Sequence, residues 1–182
     1  MSLNSFADHA PKTEWLQSFF ELKNDFFESH TLGPMMYDMF RRFLRDAGLN
    51  EKNQFTNFAE LISDIGWESD TAMGLILTNL AAKNPQIRWY INNLEIGVYY
   101  PRADVEEMLT ALDVKPKDAK SIVKAYKRIV NTPMGTVLYF GEVTDRSFIF
   151  APIYSIVLTP VVVYGCLPSY VRRRFRHSKD KA

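Results

Sequence analysis

Residues Asn57 to Ala82 read NFAELISDIGWESDTAMGLILTNLAA and run, after Lys83, into NPQIRWYINNLEIGVYY, which ends at Tyr100. Asn57 and Glu60 have capping-box spacing for a short helix carrying Phe58, Leu61, Ile62 and Ile65, and Gly66 stops it by allowing the backbone a tight turn. Ser69 or Asp70 then caps a second helix. Its spacing turns Ala72, Leu75, Ile76 and Leu80 inward and leaves Thr71, Met73, Gly74, Thr78 and Asn79 outward. This is a helix-turn-helix pattern. The runs IRWYI and LEIGVYY, joined by Asn92-Asn93, alternate β-branched and aromatic residues around a pair that tolerates positive φ, and they predict a hairpin wing. The expected fold is therefore mostly α, a helix-turn-helix or winged-helix-like bundle with a small β-hairpin. The second helix has no Arg or Lys before Lys83, so it would neutralise almost no phosphate and suits a structural or protein-facing role.

Toward the N-terminus, Trp15, Phe19, Leu22 and Phe26 recur at helical spacing behind Thr13 as a cap, predicting a helix that ends near His30. Pro34 suits the first turn of the next, with Met35, Met36, Met39, Phe40, Phe43 and Leu44 inward and Gly48 as its stop. Residues 49–55 read as a polar loop and residues 1–11 as a flexible N-terminus.

Toward the C-terminus, Val105, Met108, Leu109 and Leu112 mark one helix, and a turn at Asp113 to Pro116 leads into another that ends at Val130. That last helix puts Ala119, Ile122, Val123, Tyr126, Ile129 and Val130 on one side and Lys117, Lys120, Lys124, Lys127 and Arg128 on the other. Spacings of three, four, three and one keep the five cations on one face. Pro133-Met134-Gly135 closes the unit, and TVLYF reads as a short strand.

Charge follows the same division. The 182 residues carry a net charge of +1, but residues 1–114 hold 9 basic against 17 acidic side chains, while 115–131 hold six basic against Asp118 alone. A further basic cluster, with Arg172, Arg173 and Arg174, closes the chain. Concentrated positive potential attracts phosphate whatever the global charge. The internal stripe is a better candidate nucleic-acid surface than the helix after Gly66, with Arg172, Arg173 and Arg174 counted beside it, and being mostly Lys it would grip phosphates as point charges with little choice of base sequence.

Between 146 and 170 the chain is almost free of charge, and SIVLTPVVVYGCL is long enough with its flanks to suggest a membrane anchor ahead of the Arg cluster. Pro152, Pro160, Gly165 and Pro168 divide it into short pieces, which favours a buried segment over a spanning helix. The organisation read from the sequence is a leader over 1–11, a helical domain over 12–145, an apolar segment over 146–170 and a basic tail over 171–182.

The residues offer little chemistry. His9, His30 and His177 are far apart, and Cys166 is the only cysteine, so neither a metal centre nor a disulfide nor a nucleophile-base pair is suggested, and no cofactor is expected. Gly135 and Gly141 are not followed by the Lys-Ser/Thr of a phosphate loop, and Glu106-Glu107 fall on an exposed face. A non-enzymatic protein of the cytoplasm is the expectation.

The stretches LGPMMYDMFRRFLRDAGL, GLILTNLAAKNPQIRWYINNLEIGVYY, AKSIVKAYKRIVNTPMG and PVVVYG, between residues 32 and 165, resemble the helical region downstream of the catalytic domain in phosphoadenosine phosphosulfate reductase-like proteins of bacteria and phages. That family's Ser-Gly-Gly-x-Asp-Ser nucleotide loop has no counterpart here, so no catalytic residue carries over. The resemblance implies an accessory, nucleic-acid-facing or partner-binding module, linked to phage or DNA-modification systems or to a reductase-like assembly.

Overall fold

The computed structural model describes residues 3–7, 9–95, 98–138, 141–143 and 148–149. The chain runs α1 (Thr13–Leu22), a 3-10 turn (Lys23–Asp25), α2 (Phe26–Ser29), α3 (Pro34–Asp46), β1 (Asn50–Glu51), β2 (Gln54–Phe55), α4 (Asn57–Ile65) and α5 (Asp70–Lys83). It continues with α6 (Pro85–Asn93), α7 (Arg102–Thr110), α8 (Pro116–Val130), α9 (Pro133–Leu138), β3 (Glu142–Val143) and β4 (Phe148–Ile149). Mostly helical is thus correct. Two small antiparallel ribbons accompany the helices, β1 on β2 with Asn50 opposite Phe55, and β3 on β4 with Glu142 opposite Ile149.

The turn between α4 and α5 forms as the sequence predicts at Gly66, whose φ is +86°, and Ser69 caps α5 by accepting from the Ala72 N–H at 3.2 Å. The cap of α4 is one residue earlier than expected. Thr56 Oγ1 accepts from Ala59 N–H at 3.1 Å, while the Glu60 carboxylate pairs with Lys23 at 2.8 Å and makes no capping box. Helix α5 is largely enclosed. Ala72, Met73, Gly74, Ile76, Leu77, Leu80 and Ala81 are all buried, because α3, α4, α6 and α9 surround α5. Met73 and Gly74, expected outward, are buried by these neighbours, while Thr71 stays exposed and Leu75, expected inward, is half-buried.

The wing is absent from its expected place. Residues 87–91, read as the first strand of a hairpin, and Asn92-Asn93, read as its turn, lie instead in α6, because Asn84 and Pro85 together make a strong helix start. Asn84 Oδ1 accepts from the N–H groups of Gln86 and Ile87, both at 3.1 Å, and Pro85 occupies the first turn, where its missing N–H costs nothing. Ile87, Trp89, Tyr90 and Ile91 are then buried around the helix. A hairpin does form, but at 50–55, where a loop was expected. Lys52 and Asn53 take φ of +52° and +59° at its tip, the two positive values a tight primed turn requires. Residues 133–138 are likewise helix α9, against the expected strand in TVLYF.

The core of the N-terminal half is aromatic. Phe19 packs edge-on against Phe20, Phe26 and Phe40 at centroid distances of 5.2, 5.6 and 6.5 Å, and Trp67 from the α4–α5 turn stacks on Phe20 at 5.6 Å. Offset and edge-on pairs of this kind add to area burial. The segment read as a flexible leader contributes Phe6, fully buried against Phe43 at 6.2 Å. Gln86 Oε1 accepts from the N–H groups of Ser5 and Phe6, at 2.9 and 3.0 Å, and Arg42 donates to the Ser5 carbonyl at 2.8 Å. Among the described residues no helix is long and apolar enough to cross a membrane. The apolar segment and basic tail beyond residue 149 lie outside the described residues.

Candidate nucleic-acid interface

Helix α8 starts at Pro116, carries Asp118 in its first turn and Lys127 and Arg128 in its last, an arrangement matched to the helix dipole. Its inner face buries Ala119, Ile122, Val123, Ala125, Tyr126, Ile129 and Val130. Tyr126 lies 4.8 Å from Tyr90 and stacks on Trp89 at 6.3 Å, so α8 is pressed against α6. That packing decides which way the rest of the helix points.

Lys117, Lys120, Lys124, Lys127 and Arg128 are all exposed, as the spacing predicts, and Lys115 at the helix start is exposed beside them. At 3.6 residues per turn the five helical cations fall within an arc of about 100° along roughly 16 Å of axis. Asp118 stands at the border of the stripe, half-buried, and accepts from Asn4 Nδ2 at 3.1 Å. At the other end Arg128 Nη1 lies 3.1 Å from His9 Nδ1, and since a guanidinium only donates, the ring nitrogen accepts. Asn4 and His9 therefore fasten the two ends of α8. The sequence carries no signal of this, because Asn4 and Asp118 are 114 positions apart.

Arg172, Arg173 and Arg174 lie outside the described residues, so the second basic cluster has no place in this geometry. His30 stacks on Tyr37 at 3.8 Å, and among the described residues no group of His, Cys, Asp and Glu is placed to hold a metal ion. What the arrangement offers is a rigid row of cations on a packed helix. Comparison with protein-family models, with curated proteins and with solved structures gives no match. The resemblance to the reductase-like proteins thus stands on the quoted residues alone.

Proposed function

We propose that the protein is a non-catalytic nucleic-acid-binding module and that α8 is its binding face. One observation supports this most: five cations stand exposed along one side of a helix whose other side is locked into the core. Surface lysines on a mobile segment lose entropy when they bind, whereas a helix fixed by Tyr126, Val123 and Ile122 presents its charges already aligned. The row releases condensed counterions from a phosphate backbone and reads no base, since Lys offers a point charge in place of the planar fork that pairs with guanine. With a single cysteine and no expected disulfide, the cytoplasm is the setting that suits it.

The test is fluorescence anisotropy with labelled DNA across a salt series. Lys120→Glu combined with Lys124→Glu should weaken binding equally for unrelated sequences and flatten the slope of log affinity against log salt by roughly two. Unchanged affinity in the double variant removes α8 from the interface.

A further inference from the structure

We infer that the partner of α8 is double-stranded, held along its phosphates with no base edge reached, an inference that rests on the nucleic-acid reading above. Proteins that hold single strands set aromatic faces into a basic groove so that bases stack on them. Helix α8 itself carries no such ring on its basic side. Its one aromatic residue, Tyr126, is fully buried on the inner side, with its hydroxyl donating to the Gln86 carbonyl. Affinity then comes from counterion release, about 0.9 ion per contacted phosphate on duplex and about 0.7 on a single strand. Five contacts free about one ion more from the duplex, roughly a tenfold preference at 0.1 M salt.

The surroundings of the helix exclude base readout. A recognition helix, about 10–12 Å across with its side chains, must sink into a major groove about 12 Å wide and 8.5 Å deep. Helix α8 has α7, α9 and β3 packed against it, and Asn4 and His9 are fastened to it at Asp118 and Arg128. Only the strip bearing the lysines stands open, so the backbone at the rim of the groove is what it meets. Over the roughly 16 Å of the strip a duplex offers about ten negative charges, one per 1.7 Å of axis.

Anisotropy titrations of the full chain decide the matter, using a labelled DNA duplex of about 20 base pairs and the same labelled strand unpaired, in one buffer at about 0.1 M salt. The expected result is a duplex bound about tenfold more tightly, unrelated duplexes bound alike within about twofold, and a preference that narrows as salt rises. A single strand bound as tightly as the duplex, or more so, overturns the duplex assignment and leaves the nucleic-acid reading standing. Preference of about a hundredfold for one duplex sequence overturns contact through phosphates alone. Binding to neither probe overturns both the assignment and the reading beneath it.

Discussion

The Tyr126 hydroxyl donates to the main-chain oxygen of Gln86 at 2.7 Å, joining two fully buried residues of α8 and α6 that stand 40 positions apart. Tyr126→Phe keeps the ring and removes the bond, so it should cost about 1 kcal/mol at pH 7. Burial holds this phenol well above its ordinary value of 10.0. Below that pH both the folded and the unfolded chain keep the proton and stability is unaffected. Above it the unfolded chain loses a proton that the folded chain retains, and stability falls by up to about 1.4 kcal/mol per pH unit. The substituted protein lacks this slope, so urea unfolding at pH 7 and near pH 10.5 should show the gap between the two proteins closing at the higher pH.

The two sides of α8 should respond oppositely to the same kind of substitution. Val123 is fully buried, and Val123→Asp places an unpaired carboxylate in an apolar site, which should cost more than about 3 kcal/mol or abolish folding. Lys120→Glu, three residues away on the open side, should change stability by less than about 0.5 kcal/mol. Thermal melts of the two variants check the orientation of the helix independently of any ligand.

Gly48 and Gly66 both have positive φ, +79° and +86°, but differ in what surrounds them. A Cβ at Gly66 meets nothing within 4 Å, so Gly66→Ala should cost only the left-handed backbone, about 1–2 kcal/mol. At Gly48 a Cβ would stand 2.8 Å from Asn79 Nδ2, the group that donates to the Ala47 carbonyl at 2.9 Å. Gly48→Ala should therefore cost the same strain plus about 1 kcal/mol for the disturbed hydrogen bond. Chemical denaturation of the pair, side by side, checks the ordering.

Asn84 is fully buried, caps α6 with its oxygen and donates through Nδ2 to Asp46 Oδ2 at 2.9 Å. Asn84→Ala should destabilise by about 2–4 kcal/mol, losing a cap and a partner of a buried carboxylate. Asn84→Asp keeps the cap acceptor but sets two carboxylates against each other, which raises the pKa of one of them in the fold. The folded variant then binds a proton that the unfolded chain has released. Its deficit should be largest at neutral pH and shrink as the pH falls toward about 4, where the unfolded chain is protonated too. Melting temperatures of the variant and the parent between pH 4 and 7 measure this.

Local signals were legible where one helix supplied its own pattern. The Gly66 turn, the Ser69 cap and the two faces of α8 follow from spacing, because burial on one side of a helix writes a period of 3.6 into the residues. In α6 that period is hidden. Trp89, Tyr90 and Ile91 are buried in succession, the mark of a helix enclosed on several sides, and aromatic and β-branched residues in a row look like a strand. Asn84-Pro85 was the readable correction, a cap followed by a first-turn proline. The docking of Asn4, Ser5, Phe6 and His9 had no readable counterpart, since Gln86, Asp118 and Arg128 are brought to them only by the finished packing.

That fastening orders events during synthesis. Phe6 leaves the ribosome 80 residues before Gln86, and Asn4 leaves it 114 before Asp118. Until α6 has emerged, the N–H groups of Ser5 and Phe6 lack their Gln86 acceptor, and Asn4 waits longer still for Asp118 of α8; loops that long close slowly. The stretch must therefore stay soluble and unclaimed until those partners are made, a demand its polar residues Asn4, Ser5 and His9 help it to meet. Its closure onto Gln86 joins a stretch made early to a partner made about 80 residues later.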